Sequence, residues 1–516
     1  METLRALDGD PLVTFLLERR WFGAKAGAPR TARIVDLVPL PWSDGAFVVA
    51  RVLVETEQMS RHYQVPLALR EGVAAPPSPT SPQAVVARVA WPGGEGLLFD
   101  AVEDPSFRRS LADAFAKVDG EAHQGDRVRW EIEPIGAAPL VIPLTADLRV
   151  GAAEQSNTSL FFDDEAILKL FRRLEAGEHP DLEVTRFLTL DARFAHTPTL
   201  LGSVRFVSDD GAVEVAGMLQ EVVPGAVDAW AFALERGAPY FAAPKDREVA
   251  DAFATEAERL GVITREMHEA LASNEQNESF APEPATGDDV RRWADDARSW
   301  IERSLALLGR QLEGNALPKE RVPEAQALFK RREHYLAWVE EIVEEVGDDA
   351  GFRTRVHGDY HLGQVLRTKS DDFMIIDFEG EPARPLDERR AKASPLRDVA
   401  GMLRSFAYAA ATLGTNAAKR HDMATRELRV GRWERAAREA FMRGYLQAAD
   451  RASASHALGS EHDEPGILPE ARENVTRLLA LFETEKAFYE LAYELNNRPT
   501  WAWIPMRGIS KLLVRA

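Results

Sequence analysis

The sequence predicts an α+β protein in which β-rich and helical stretches are segregated along the chain rather than alternating. From about Arg127 to Gly225 the chain consists of short β-type runs, and after Gly225 it turns to long segments with apolar residues at three- and four-residue steps. Its 516 residues are too many for one hydrophobic core, so two or three packed units follow.

A first helix, "PLVTFLLERR", precedes apolar runs that suit strands: "ARIVDLVPL", "GAFVVARVLVE" and "HYQVPLAL". Pro76, Pro77, Pro79 and Pro82 cannot continue a sheet and mark a loop. Residues 1–110 thus read as a small mixed unit. In residues 111–224, "RVRWEIEPI", "PLVIPL" and "TSLFFDDEAILKLF" suit strands, the last a hairpin turning at Asp163 and Asp164. A helix is predicted through "PDLEVTRFLTL", where Pro180 suits a first turn, and strands resume in "SVRFVS" and "VEVAGMLQEVV". Residues 225–516 are helical, as in "VADAFATEAERLGVITREMHEAL" and "TRLLALFETEKAFYELAYELNN".

A net charge of −20 repels nucleic acid and anionic membranes, so any phosphate bound here must meet a local positive pocket. No window approaches the apolar length of a membrane span, and Met1 to Asp10 lacks the basic start and apolar run of a secretory signal; a cytoplasmic location is expected. The absence of cysteine excludes disulfides, thiolate metal sites and cysteine nucleophiles.

Two loops carry the chemistry, "VHGDYHLGQVL" (Val356 to Leu366) and "IIDFEGEP" (Ile375 to Pro382). An Asp, an amide five residues on, and a second Asp at the end of an apolar strand form the layout of phosphoryl transfer. The first Asp accepts the acceptor hydroxyl's proton while the amide and the second Asp hold Mg²⁺ against nucleotide phosphates. These positions are Asp359, Gln364 and Asp377, and of the adjacent carboxylates Glu379 and Glu381 one joins the metal shell, Glu379 being the one assigned. Gln ligates a hard cation through its amide oxygen as Asn does, one methylene further out. Upstream, Lys169 in "AILKLF" is placed to reach the α- and β-phosphates, and Glu183 in "HPDLEV" to hold it. The turn "GAAEQSNTSLFF" offers Ser156, Asn157 and Thr158 as phosphate caps. A lone lysine in a strand is usually a snorkelling surface residue, and a lone HxD usually a polar turn. The order of all the parts makes the kinase case.

These motifs resemble those of the protein-kinase-like small-molecule kinases, which include the aminoglycoside phosphotransferases, and more narrowly those of the maltokinase family. The matching text includes "RWFGAKA", "ILKLFRRLEAGEHPDLEV", "HGDYHLGQVLRT", the block from Ile376 to Ala410, and "EKAFYELAYELNNRPTW". The resemblance implies a bilobal protein-kinase-like fold with an N-terminal cap subdomain, a β-rich intermediate subdomain completing the nucleotide lobe, and an α-helical C-terminal lobe. It implies ATP and Mg²⁺ as cofactors, and maltose as the acceptor, phosphorylated at its anomeric hydroxyl within trehalose and glycogen metabolism. Adenine is then expected against Gln220 to Val223, with Gln220 and Val222 as contacts. The sugar is expected at His361 and on the late helix at Lys486, Tyr489, Tyr493, Glu494 and Arg498. The ending "ELNNRPTW" resembles units fused to or paired with trehalose synthase, a possible partner, whereas Tyr360 departs from the Leu often found there. Glucosamine kinase, whose loops are very similar, is the alternative activity. A pseudokinase partner predicts eroded metal and lysine positions, and all are occupied by competent residues.

Overall fold

The computed structural model describes residues 10–22, 29–42, 46–57, 59–71, 84–91, 94–136, 140–151, 157–243, 252–314, 316–382, 384–418, 420–456 and 466–512. The four prolines of the expected loop, and Ser156, lie outside them. The chain divides into two compact units, Met1–Thr189 with Pro198–Pro224, and Leu190–Thr197 with Gly225–Ala516. No helix among the described residues is long and apolar enough to cross a membrane.

The first unit holds two antiparallel sheets. One is built from β1 (Thr31–Leu40), β2 (Ala46–Glu55), β3 (Ser60–Glu71), β4 (Val85–Trp91) and β5 (Gly94–Asp100), in the order β1-β2-β3-β5-β4. The other adds β6 (Glu121–Gln124), β7 (Val128–Pro134), β8 (Leu148–Val150), β9 (Asn157–Phe162), β10 (Ala166–Phe171), β12 (Leu200–Ser208) and β13 (Val213–Glu221), in the order β6-β7-β12-β13-β10-β9-β8. The two-residue β11 (Arg173–Leu174) follows β10 and pairs with β3 of the first sheet. In β9 burial alternates residue by residue, as a half-buried strand requires, and Asp163 takes a left-handed φ of 57° in the turn to β10. The run "PLVIPL" forms no strand over its described residues 140–144: Pro143 has no N–H to give a ladder, and Val141 and Leu144 are exposed.

Both sheets share one core with helix α2 (Pro105–Phe115), the second helix after α1 (Asp10–Leu17). Asp104 caps α2 by accepting the Ser106 N–H, with Pro105 in the first turn. Phe47, Val49 and Phe99 of the first sheet meet Phe107 and Phe115 of α2 and Trp130 and Phe162 of the second. Each such side chain contributes about 1.5–3 kcal/mol of burial. Polar links reinforce the apolar contact: Gln64 Nε2 donates to Phe171 O at 2.9 Å, and Arg172 Nη2 to Asp100 Oδ2 at 2.8 Å.

The second unit is helical around one long helix. In chain order it contains α4 (Ala229–Ala242), which follows α3 (Pro180–Arg186) of the first unit, then α5 (Ala254–Leu271), α6 (Gly287–Glu313), α7 (Val322–Lys330) and α8 (Arg332–Val346). After the two loops come α9 (Leu386–Arg390), α10 (Leu396–Asn416), α11 (Met423–His456), α12 (Arg472–Asn497) and α13 (Trp503–Leu512). A capping box between Thr286 and Asp289 starts α6. Helix α12 packs against α6, α8, α10 and α13, and the Ser304 hydroxyl of α6 donates to Phe488 O of α12 at 2.6 Å. That bond fixes the register in which α6 and α12 wall the cavity described below.

Candidate active site

The loops "VHGDYHLGQVL" and "IIDFEGEP" flank a short antiparallel hairpin of β17 (Val365–Arg367) and β18 (Phe373–Ile375), which follows the small strands β14 (Val227–Asp228), β15 (Glu283–Pro284) and β16 (Phe352–Arg353). Gln364 stands just before β17 and Asp377 just after β18, so pairing brings them to one end of the hairpin; the Ile376 N–H donates to Gln364 O at 3.0 Å there. Asp377 adopts a left-handed φ of 72°, a costly conformation for a non-glycine residue that is found preferentially at functional sites. Gly358, at φ 83°, lets the loops approach: a Cβ there would sit 3.1 Å from Gly380 Cα.

The loop backbone is clamped from α10. Buried Asp398 accepts the N–H of His357 at 2.7 Å and of Gly358 at 2.9 Å, and receives His268 Nε2 of α5 at 3.1 Å. His268 Nδ1 in turn meets the Tyr445 hydroxyl at 2.9 Å. Burial alone would raise the Asp398 carboxyl, but His268, His357 and the Gly358 N–H hold it below the usual carboxylate value. His357 is a structural residue whose Nε2 meets Ile376 O at 3.0 Å, and the Tyr360 hydroxyl is buried against Thr264 at 2.9 Å.

Asp359 opens onto a cavity of about 380 Å³ whose wall includes Trp300 of α6, Glu381, Arg384, and Lys486 and Tyr489 of α12. Lys486 Nζ lies 2.5 Å from Glu381 Oε1 and 3.5 Å from Asp359 Oδ1. Burial opposes charge on Lys486, yet Glu381 and Asp359 raise its pKa above the ordinary value. Burial likewise works against ionised Glu381, but Lys486 and Arg384 hold its carboxyl down at about 2. Trp300 and Tyr489 meet edge to face with centroids 5.0 Å apart, and Lys486 Nζ lies 5.1 Å from the Tyr489 ring centre. Aromatic surface beside fixed donors and acceptors suits a sugar's mixed faces.

Of the expected sugar contacts, Lys486 and Tyr489 line this cavity, while Tyr493, Glu494, Arg498 and His361 are not part of its lining. Glu494 is buried and accepts from Arg498 at 2.6 Å and from the Tyr408 hydroxyl at 3.2 Å, so both Glu494 and Arg498 serve the end of the helix. Tyr493 shares a stripe with Lys486 and Tyr489 but stands seven residues past Lys486, about 10 Å further along the axis. His361 caps the turn Leu362–Gln364, its Nδ1 accepting the Gly363 N–H at 3.1 Å, with Nε2 3.9 Å from Asp359 Oδ2. Burial pushes its imidazole below the usual value.

The sequence reading missed Trp300, Arg384, and the pair formed by Arg397 Nη1 and both oxygens of Glu485, at 3.0 and 2.9 Å. Only the seven-residue step between Trp293 and Trp300, with Asp296 between them, marked that face of α6.

In the first unit, Lys169 Nζ donates to Asp181 Oδ2 at 2.9 Å, a carboxylate two residues before the expected holder Glu183. Asp181 lies in the first turn of α3, fully buried, whereas Glu183 is partly exposed. The Thr158 hydroxyl, expected at a phosphate, is instead committed to Arg172 Nε at 2.8 Å, because strand alternation turns Thr158 into the core. Asn157 opens β9 on the partly exposed face. Gln220 is buried in β13, and the Val222 N–H donates to Glu165 O at 3.0 Å, so that donor is spent on extending the ladder with β10.

A divalent cation at the hairpin end would be held by the amide oxygen of Gln364 and the carboxylates of Asp377 and Glu379, all hard oxygen donors that fit Mg²⁺. Glu381, considered from the sequence as a further ligand, is taken up by Lys486 and Arg384.

Fold and site together define a phosphotransferase of the kinase-like superfamily. Its particular likenesses lie among sugar kinases. The pattern of the maltokinase N-terminal cap domain matches residues 15–104. The chain is 28% identical over 372 residues to a glucosamine kinase of Mycolicibacterium smegmatis, covering 72% of this chain and 79% of that one. It is 25% identical over 377 residues to a glucosamine kinase of Streptacidiphilus jiangxiensis, covering 72% and 74%. In structure it is similar to a glucosamine kinase in complex with glucosamine, ADP and inorganic phosphate, with TM-score 0.65 at 21% identity over 99% of both chains. A second crystal form of glucosamine kinase gives TM-score 0.66 at 21% identity, also over 99% of both chains. At that identity the likeness is one of fold.

Proposed function

We propose that the chain is an ATP- and Mg²⁺-dependent sugar kinase, and that its acceptor is maltose, converted at the anomeric hydroxyl to maltose 1-phosphate with release of ADP. The observation that carries the kinase reading is Asp359, on a clamped loop, opening onto a cavity walled by aromatic rings and charged side chains. Asp359 takes the proton of the acceptor hydroxyl, and the Lys486 ammonium at 3.5 Å fixes the direction of its carboxylate. Lys169, held by Asp181, is assigned to the nucleotide phosphates. Magnesium bound by Gln364, Asp377 and Glu379 would neutralise charge on the transferring phosphoryl group.

Maltose is supported by the match of the cap domain to the maltokinase pattern and by the block from Ile376 to Ala410. A glucosamine acceptor is the second reading, supported by relatives of that activity over 72% of the chain. A coupled ADP-release assay with maltose, glucose and glucosamine separates them: turnover with maltose supports the first, and turnover with glucosamine alone replaces it.

A further inference from the structure

We propose that Lys486 and Arg384 lock the carboxylate of Glu381 and thereby close the acceptor cavity to amino sugars, leaving uncharged sugars as its substrates. This rests on the sugar-kinase reading and narrows it.

A protonated amino sugar needs a carboxylate or carbonyl whose charge is not already matched by cations in place. Glu381 is the acid nearest in place to serve, sharing Lys486 with Asp359. One of its oxygens accepts from Lys486 Nζ at 2.5 Å and the other from Arg384 Nε at 3.0 Å. Among the other acids of the wall, Glu485 and Asp398 are hydrogen-bonded, Asp359 is kept for the acceptor hydroxyl, and Asp296 and Glu388 stand about half exposed beside a guanidinium. Both oxygens of Glu485 face Arg397 Nη1 at 3.0 and 2.9 Å, with Arg384 Nη2 3.8 Å away. Asp398 is spent on two peptide N–H groups and His268. Asp296 has Arg397 Nη2 at 3.6 Å, and Glu388 has Arg384 Nη1 at 3.8 Å.

An ammonium group entering here shares Glu381 with a lysine and an arginine already in place, and meets their charge at close range. A hydroxyl pays no such penalty, since the same cations can donate to it. Trp300 and Tyr489 add apolar surface for a ring face. The specificity thus comes from an internal cation occupying the position an amino group would take.

The test is steady-state kinetics of the full chain with maltose, glucose and glucosamine at saturating ATP and Mg²⁺. The unaltered chain is expected to show kcat/KM for its better neutral sugar at least about tenfold above that for glucosamine. Arg384→Gln frees one oxygen of Glu381 without touching Asp359, and Lys486→Gln frees the other. Each should raise the ratio of glucosamine to neutral-sugar kcat/KM by about tenfold, Lys486→Gln with lower absolute turnover because Asp359 loses a neighbour. Arg384, with a side chain 37% exposed, carries the test if Lys486→Gln does not fold. Preference for glucosamine in the unaltered chain, or an unmoved ratio in Arg384→Gln, overturns the lock and leaves the sugar kinase standing. No turnover with any sugar overturns both.

Discussion

Asp398 Oδ1 accepts the backbone N–H of Gly358 at 2.9 Å, so a carboxylate on α10 fixes the His357–Gly358 peptide, one peptide removed from Asp359. The same side chain holds the His357 N–H and is itself held by His268, which makes it the point where three segments of the second unit meet.

Replacing Asp398 with Ala should therefore cost more than its distance from any substrate suggests. It leaves two peptide N–H groups and a histidine buried without their acceptor, a loss of about 3–5 kcal/mol. Denaturant unfolding should show that loss, and the remaining folded fraction should show reduced kcat.

Asp359→Asn keeps the shape of the side chain and removes the base. Turnover should fall by about 10²–10⁴-fold while nucleotide affinity is retained. Coupled ADP release and calorimetric ATP titration read the two quantities separately, and near-normal turnover would sink the assignment.

The bond between Lys169 and Asp181 predicts that losing this carboxylate weakens nucleotide binding. Asp181→Asn should raise KM for ATP, approaching the effect of Lys169→Met. An unchanged KM in Asp181→Asn would remove that bond from the nucleotide site.

Glu214 of β13 receives Arg51 of β2 through two bonds, at 2.7 and 2.8 Å. Burial would raise its carboxyl, but His62 and Arg51 hold it at about 2, below its ordinary value of 4.5. Because the folded value is the lower one, the stabilisation is complete above about pH 5 and fades as pH falls toward 2. Glu214→Gln should thus cost about 3 kcal/mol at pH 7 and progressively less below pH 4, measured by denaturant midpoints across that range.

The sequence is informative wherever neighbours in the chain are also neighbours in space. The hairpin strands, the Lys169 strand, and the two loops carrying Asp359, Gln364 and Asp377 are short continuous stretches with their own periodicity, and they can be read directly. The wall of the acceptor cavity is not such a stretch. Trp300 belongs to a helix whose register against α12 is set by the bond from Ser304 to Phe488 O, which no local pattern encodes. A four-residue step along α12 puts Glu490 and Glu494 on one face without revealing what they face: Glu490 accepts from Arg404 at 2.6 Å, a structural pairing. Helical periodicity assigns a face, and neither the depth of a cavity along the axis nor the partner opposite.

The shared core of the two sheets bears on how the first unit behaves as a material. Helix α2 and residues such as Phe47 and Trp130 leave no seam between the sheet of residues 31–100 and the sheet that carries Lys169. Amide protons in β2 and β10 should then exchange with solvent in one cooperative opening rather than two. A shortened chain beginning at residue 105 would lose one wall of that core, and the strand that positions the lysine would go with it.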